Sequence, residues 1–260
     1  MKPKLYVFGC SYSTGEELLL DEIQQLNQLR FDTVHDPRIF FHELEKDPEL
    51  SKQYQSLVDK QKKLSWPNLL AGMMDMECVN LAESGNSLDK MLYQISITEF
   101  NSNDVIIVAL TNPFRSMYFS DAAKSFQLPS LVWPVKDRLL GVSANGNLDY
   151  VIGKEEDKAV LKWFNDDRVM WDQIKNLSML GYLQKSLNLF VVPAMSRKIF
   201  KLKNYNCPVL PDLYHNLEKT LCITDKNLDD FIITRMPWGH PDKPAHSAYA
   251  KHCYEILRQF

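Results

Sequence analysis

The chain lacks the features that assign a protein to a membrane or to the secretory route. No apolar run in its 260 residues approaches the roughly 20 residues that a membrane-spanning helix needs. The apolar segment 5–8 follows Met1 too closely, and is too short, to be the core of a signal peptide. The sequence therefore predicts a cytoplasmic protein with no membrane partner.

The chain is also poor in cysteine and balanced in charge. Its five cysteines are an odd number and include no Cys-x-x-Cys pair, which is typical of reduced thiols and not of a disulfide framework or a zinc site. The net charge is −3, with acidic and basic residues interspersed, so no surface for nucleic acid is indicated. No metal site, cofactor or nucleic-acid partner is predicted, and no oligomeric state is specified.

Short apolar segments alternate with longer helical segments along the chain. The unbroken β-branched run 105–108 is typical of a central parallel strand that is buried on both faces. Alternation of this kind predicts an α/β fold, a doubly wound three-layer α/β/α sandwich around a mostly parallel sheet of about five strands, as in flavodoxin. The segments predicted as strands are 5–8, 77–82, 104–110 and 187–192, with 229–234 as either a fifth short strand or a loop.

A single domain is expected to span residues 1–260, with two insertions. The first insertion, about 30–64, is charged and ends in a polar helical stretch. The second, about 116–160, carries aromatic residues and an Asn-Gly-Asn sequence, and we expect an irregular excursion or a lid there.

The first predicted strand ends in a tight turn that carries Ser11. Gly9 breaks the apolar run, and Ser13 lies three residues before Glu16, which is the spacing of a helix-capping box. Open α/β sheets bind ligands at the carboxyl ends of their strands, and Ser11 is predicted to lie at such an end. The alternative is that Ser11 only caps the helix.

Three further polar clusters follow predicted strands or precede the last helix. They are 80–87 after the second strand, 110–115 after the third, and 238–246 before the closing helix. Because parallel strands share one carboxyl edge, these clusters and the Ser11 turn are expected to meet.

The four clusters, taken in order, resemble the sequence blocks of the SGNH (GDSL-type) hydrolases over nearly the whole chain. Ser11 is similar to the serine of the first block, Gly85 to the key glycine of the second, Asn112 to the asparagine of the third, and His240 to the histidine of the last. The sequences Gly-Cys-Ser (9–11), Ser-Trp-Pro-x-Leu-Leu-Ala (65–71) and Asn-Leu-Ala-x-x-Gly (80–85) also resemble a subset of this family that is common in bacteriophage genomes.

The resemblance implies a serine esterase, or acylhydrolase, that works by acyl transfer. It implies that Ser11 is the nucleophile and His240 its base, and that the N–H groups of Ser11 and Gly85 and the amide of Asn112 bind the oxyanion. The implied substrate is an O-acyl ester, such as an acetylated carbohydrate or small molecule. Arg115 is a candidate for binding an acidic group of that substrate, with a surface ion pair as the alternative.

Three positions depart from the family pattern. Cys10 stands in place of an aspartate, Leu110 in place of a glycine, and Pro237 in place of the aspartate that orients the histidine. A serine–histidine pair needs an acceptor that holds the imidazole and stabilises its charged form. That acceptor could be a main-chain carbonyl around residues 237–238 or one of three nearby acids. These acids are Asp229, Asp230 and Asp242.

Two other functions stay open from the sequence. Without the family aspartate, the chain could be a catalytically degenerate member that binds a glycan or a protein partner. Residues 9–15 also loosely resemble a phosphate-binding loop. They lack the Lys-Ser/Thr ending of that loop, which disfavours a nucleotide-binding protein.

Overall fold

The computed structural model describes most of the chain as strands and helices in alternation. The described residues are 2–15, 18–19, 22–23, 26, 46–83, 85–111, 118–120, 125–130, 140–143, 148–149, 166–195, 207, 209–234, 236 and 240–260. The strands are β1 (Lys4–Phe8), β2 (Glu77–Asn80), β3 (Val105–Leu110), β4 (Tyr118–Ser120), β5 (Ser125–Ser130), β6 (Leu140–Ser143), β7 (Leu148–Asp149) and β8 (Leu189–Pro193). The helices are α1 (Ser11–Thr14), α2 (Pro48–Leu64), α3 (Trp66–Met73), α4 (Leu88–Ser96), α5 (Asp166–Leu183), α6 (Val209–Leu221) and α7 (Lys243–Leu257), with a 3₁₀ helix at Leu228–Phe231. Within these ranges no helix is long and apolar enough to cross a bilayer.

Four of the strands form a parallel central sheet in the order β2-β1-β3-β8. On one side of β1, Val7 lies opposite Asn80 of β2, and on the other side Phe8 lies opposite Val108 of β3. The strand order reverses between β1 and β3, and a doubly wound sheet opens a crevice at its carboxyl edge at such a point. The predicted α/β architecture is confirmed, with four strands in place of about five.

Helices cover both faces of this sheet and complete three layers. Leu5 and Val7 of β1 belong to a core formed with α3 and α7, whereas Tyr6 and Phe8 belong to a core formed with α4, α5 and α6. Successive residues of β1 therefore contribute to different cores, as the two-residue period of a strand requires. Every residue of β3 is buried, because the strand has a paired neighbour on each side and helices on both faces.

Residues 229–234 do not form the fifth strand that was one of the two sequence expectations, and fold instead as the end of the 3₁₀ helix and a loop. Asn227 caps that helix, since its side chain accepts the Asp229 N–H and its own N–H donates to the Asp230 carboxylate. Local hydrogen bonds of this kind compete with strand pairing, which is why Asn and Asp favour caps and turns. Among the described residues, the sheet continues past β8 by a single parallel bridge, between Val191 and Cys222.

Both predicted insertions contain regular structure. The first insertion holds α2, and Asp47 is the residue that caps its N-terminus. The carboxylate of Asp47 accepts the N–H groups of Glu49 and Leu50. The second, expected to be irregular, holds an antiparallel sheet in the order β4-β5-β6-β7. Its strands have two to six residues, too few for an alternating pattern to be visible in the sequence. The other residues of both insertions lie outside the described ranges.

Candidate active site

Ser11 lies just beyond the carboxyl end of β1, as the first residue of α1. Cys10 precedes it in an extended conformation, and the Cys10 carbonyl accepts the Ser13 N–H at 2.8 Å, which closes the turn. Gly9 permits this turn because a Cβ there would lie 2.8 Å from the Cβ of Ser13 and 3.2 Å from the Cβ of Ala109. Ser11 is only 5% exposed, so little of its surface is open to solvent.

The chain returns to this turn at His240. The imidazole of His240 packs against the ring of Tyr12, with ring centroids 5.5 Å apart and planes tilted by 59°. Tyr12 directly follows Ser11, so the histidine lies beside the serine turn although the two are far apart in sequence. A hydrogen bond from the Met236 N–H to the His240 carbonyl, at 3.0 Å, closes the loop before the histidine. His240 is half-buried.

A second histidine, His246, lies in the first turn of α7 and is fully buried. Its Nδ1 accepts the Trp66 N–H at 3.0 Å, so the neutral ring carries its proton on Nε2. Burial, and next the neighbouring His240, lower the pKa of His246 to about 3, against an opposing effect of Asp242. His246 is therefore a fixed acceptor at the start of α3, and His240 is the candidate base.

The loop after β2 brings Gly85 to the same turn. Main-chain hydrogen bonds continue past the end of the two strands, from the Leu81 N–H to the Val7 carbonyl and from the Glu83 N–H to the Gly9 carbonyl. Gly85 has a φ of +72°, a left-handed conformation that residues with a side chain rarely adopt. Gly85 and Ser11 thus lie on adjacent loops at one edge of the sheet.

Asp242, one of the three acids suggested as the partner of His240, caps α7. One of its carboxylate oxygens accepts the Ala245 N–H at 3.0 Å, and the other accepts the Thr234 N–H at 2.9 Å. These bonds join the start of α7 to the loop that leads to His240. Asp242 is 8% exposed, and both of its oxygens have main-chain partners.

The other two acids, Asp229 and Asp230, lie in the 3₁₀ helix. One oxygen of Asp230 accepts both the main-chain N–H and the side-chain N–H of Asn227, each at 2.9 Å. Asp230 therefore has a capping role, like Asp242. The Asp229 N–H donates to the Asn227 side chain, which fixes the main chain at the start of the same helix.

Asn112 and Arg115 lie outside the described residues, so their roles stay predictions. Thr111, which directly precedes Asn112, follows β3 at the same carboxyl edge and is 9% exposed. In the part of the chain that the structure covers, no three His, Cys, Asp or Glu side chains come together as a set of metal ligands.

Two of the positions that depart from the family pattern lie in the cores. Cys10 is fully buried in the same core as Tyr12 and Trp66. Leu110 is 5% exposed and belongs to the core on the other face of the sheet. Apolar side chains at these positions therefore contribute to packing beneath the site. The third position, Pro237, is outside the described ranges.

Four residues beside the site have no role in the sequence prediction. Tyr12 contacts His240, His246 bonds to α3, and the side chains of Asn80 and Asn86 donate hydrogen bonds to the serine turn. Both asparagines belong to the polar cluster 80–87, which the sequence predicts to follow the second strand. Which of its polar side chains faces the turn depends on the loop conformation, which no spacing rule supplies.

No protein-family model matches the sequence, and no curated protein matches it. Similar solved structures are those of esterases and lipolytic proteins. A carbohydrate esterase, whose active site is described as having divergent catalytic and non-catalytic binding functions, is 12% identical with a TM-score of 0.44, and the match covers 99% of this chain and 65% of that one.

Two further structures have comparable similarity. The acetyl xylan esterase Est2A from Butyrivibrio proteoclasticus is 12% identical, with a TM-score of 0.42, and 99% of this chain matches 63% of it. A lipolytic protein of the G-D-S-L family from Desulfitobacterium hafniense is 10% identical, with a TM-score of 0.39, and the match covers 98% of this chain and 99% of that one. The chain thus spans a little under two thirds of the length of the two carbohydrate-active esterases.

Proposed function

We propose that this chain is a serine esterase of the SGNH type, which transfers an acyl group from an O-acyl ester to Ser11 and then to water. The observation that carries the proposal is the contact between His240 and Tyr12. In this contact an imidazole packs on Tyr12, which directly follows Ser11, and Ser11 lies on a strand-to-helix turn at the carboxyl edge of the sheet, where the order reverses between β1 and β3. An alcohol is a poor nucleophile without an adjacent base, and His240 supplies one.

The first half of the reaction forms an acyl-enzyme. Ser11 Oγ attacks the ester carbonyl carbon while its proton passes to His240, and the carbonyl electron pair moves onto oxygen. The main-chain N–H groups of Ser11 and Gly85 and the side-chain amide of Asn112 donate hydrogen bonds to that oxyanion. When the tetrahedral intermediate collapses, the alcohol leaves with the proton from His240.

The second half releases the acid. Water gives a proton to His240 and attacks the acyl carbon, and the same three donors bind the second oxyanion. Ser11 Oγ then leaves with the proton held by His240, which restores the free enzyme and yields one carboxylic acid. No cofactor takes part in either half.

The low exposure of Ser11 favours a compact acyl group. At 5% exposure, Ser11 should accept an acetyl group more readily than a long acyl chain. We propose a carbohydrate or another small polar molecule as the alcohol portion. Arg115 is the candidate for binding an acidic group on that alcohol.

Hydrolysis of p-nitrophenyl acetate tests the proposal. The wild-type protein should hydrolyse this ester, and the rate with Ser11→Ala should fall to that of the uncatalysed reaction. In His240→Ala, kcat should fall roughly 10²- to 10⁴-fold because the base is gone. Asn112→Ala should lose roughly 10²- to 10³-fold in kcat with KM nearly unchanged, because the amide acts on the transition state. A fluorophosphonate probe should label Ser11 in the wild type only.

A binding protein without turnover is the second candidate, and a specific observation favours it. Pro237 stands where the family that the sequence resembles has its aspartate, and the nearby acids Asp230 and Asp242 both act as helix caps. Folded wild-type protein that shows neither Ser11-dependent hydrolysis nor fluorophosphonate labelling would support this candidate. A glycan or a protein partner is then the expected ligand.

A further inference from the structure

Two asparagine side chains, one from the last residue of β2 and one from the loop after it, contact the serine turn on its two sides. Asn80 Nδ2 donates to the Ser13 carbonyl at 2.8 Å, and Asn86 Nδ2 donates to the Gly9 carbonyl at 3.1 Å. The two accepting carbonyls lie two residues after and two residues before Ser11. The turn is therefore held on both sides of the serine by amides from the end of β2 and from the loop that follows it.

Asn86 is completely buried, and the orientation of its amide is fixed. Besides the Gly9 carbonyl, its Nδ2 donates to Gln94 Oε1 at 3.2 Å. Gln94 in turn donates to Glu83 Oε1 at 2.6 Å, and the Glu83 carboxylate also pairs with Lys90. A rotation of the Asn86 amide by half a turn would place its oxygen against two acceptors, so only one orientation satisfies the network.

The same network holds the loop that carries Gly85. The Asn86 N–H donates to the Glu83 carbonyl at 3.1 Å and closes a tight turn around Gly85, while the Glu83 N–H donates to the Gly9 carbonyl at 3.1 Å. The Gly9 carbonyl thus accepts two hydrogen bonds from this loop, one from the main chain of Glu83 and one from the side chain of Asn86. The position of Gly85 relative to the Ser11 turn depends on these two bonds.

We propose that Asn86, with Asn80 as its counterpart on the other side of the turn, is a positioning residue that sets the separation of the Ser11 and Gly85 N–H groups. The inference rests on the proposed function, since these N–H groups are its two main-chain oxyanion donors. Such donors work when they lie about 2.7–3.1 Å from the developing oxyanion. A displacement of about 1 Å at a catalytic site can cost on the order of 100-fold in rate.

The test compares Asn86→Ala with Asn188→Ala. Asn188 is the matched control because its side chain also donates to a main-chain carbonyl, that of Asp104, but between the starts of β8 and β3, at the opposite edge of the sheet. Turnover of p-nitrophenyl acetate is measured per active site, with sites counted by fluorophosphonate labelling. Asn86→Ala should lower kcat about 10- to 100-fold with KM within about threefold, and Asn188→Ala should retain wild-type kcat.

Two kinetic outcomes would overturn the inference. One is a kcat per labelled site that equals the wild-type value, with fewer sites labelled, because Asn86 would then serve folding alone. The other is a rise in KM with unchanged kcat, because Asn86 would then act on substrate binding. If Asn86→Ala does not fold, Asn80→Ala is the second variant, since Asn80 is less buried and bonds to the other side of the turn at Ser13. It also removes the bonds of Asn80 to Ser65 and to the Ala82 N–H.

Amide hydrogen exchange gives a readout that does not depend on turnover. In Asn86→Ala, the segments 9–13 and 83–86 should both exchange at least about tenfold faster, while the rest of the sheet stays protected. Unchanged exchange in either segment contradicts the inference even if the protein is inactive. Absence of Ser11-dependent hydrolysis in the wild type contradicts the proposed function instead, so the two failures are distinguished.

Discussion

His240 and His246 show how two residues of the same type take different roles through their surroundings. His240 is half-buried against Tyr12, whereas His246 is enclosed by protein and accepts a main-chain N–H. A residue that must exchange a proton with a substrate needs contact with that substrate, which the position of His240 allows. Substitution of His240 should therefore change turnover, and substitution of His246 should change stability.

The low exposure of Ser11 predicts a preference for short acyl chains. We expect kcat/KM to fall by at least about tenfold from p-nitrophenyl acetate to the octanoate ester, because one extra methylene that fits poorly already changes specificity by roughly tenfold or more. Initial rates over the acetate, butyrate and octanoate series provide the measurement. Equal rates for all three esters would show that Ser11 is more accessible than its 5% exposure indicates.

Close packing at Gly9 predicts that Gly9→Ala impairs the turn. The added Cβ would lie 2.8 Å from Ser13 Cβ, so the turn must shift, and we expect a loss of about 1–3 kcal/mol in unfolding free energy together with reduced kcat. Gly72→Ala is the control, because a Cβ there meets nothing within 4 Å and the residue is helical. The unfolding free energy of Gly72→Ala should rise by roughly 0.5–1 kcal/mol, and its activity should stay the same. Urea unfolding and p-nitrophenyl acetate turnover measure both effects.

At the scale of elements, the cap of α7 and the loop to His240 are joined through Asp242. Asp242→Asn should retain the cap but lose the bond to Thr234, which costs about 0.5–1.5 kcal/mol. We propose that a main-chain carbonyl, and not one of these acids, holds His240, so kcat should stay within about tenfold of wild type in this variant and in Asp229→Asn. Loss of an orienting acid would cost about 10⁴-fold.

Both kcat and the midpoint of thermal unfolding are measured for three variants: Asp229→Asn, Asp230→Asn and Asp242→Asn. A collapse of kcat in one folded variant would identify that residue as the orienting acid. Reduced stability with retained kcat in Asp230→Asn and Asp242→Asn would agree with the caps seen here.

Elements differ in how much of their structure the sequence specifies. β3 could be predicted because a continuous β-branched run has few alternatives to a buried parallel strand. Residues 229–234 could not be assigned to one state, because the side chain of Asn227 and the acids after it form local hydrogen bonds that outweigh strand propensity. The turn at Ser11 could be predicted from Gly9 and the polar residues that follow it, since residues that end a strand and form a turn act locally in the sequence.

The contacts between elements could not be predicted. The packing of His240 on Tyr12 and the bond from Trp66 to His246 join residues far apart in the chain, and their geometry depends on how α3 and α7 pack. The pairing of Asn86 with Gly9 likewise depends on the register of β1 and β2. Spacing in the sequence places such residues at one edge but does not select their partners.

For the whole molecule, buried His246 predicts a loss of stability in acid. Its pKa is about 3 in the folded protein because of burial and then His240, against an ordinary value near 6.5 when unfolded. Between these values the unfolded chain binds a proton that the folded chain does not, so stability falls as pH falls from about 6.5. One such proton contributes up to about 1.4 kcal/mol per pH unit. The pKa of His252, lowered by partial burial and by Lys226, acts in the same direction.

His246→Asn tests this expectation, because an asparagine oxygen can accept the Trp66 N–H without binding a proton. We expect urea unfolding between pH 7 and pH 4.5 to show a shallower loss of stability in the variant than in the wild type. His215→Asn, which removes an exposed histidine of α6, is the matched control. Identical slopes for wild type and His246→Asn would mean that His246 is not the source of the acid sensitivity.

The parallel order of the sheet has a consequence for synthesis on the ribosome. β1 leaves the ribosome before both of its partners, because it occupies an inner position and pairs with β2 and β3, which come about 70 to 100 residues later. Contacts this distant in sequence form slowly, and the apolar strand stays unpaired until they do. An unfinished chain thus carries Ser11 without His240, and under the proposed function it gains its base only when the segment that precedes α7 has been synthesised.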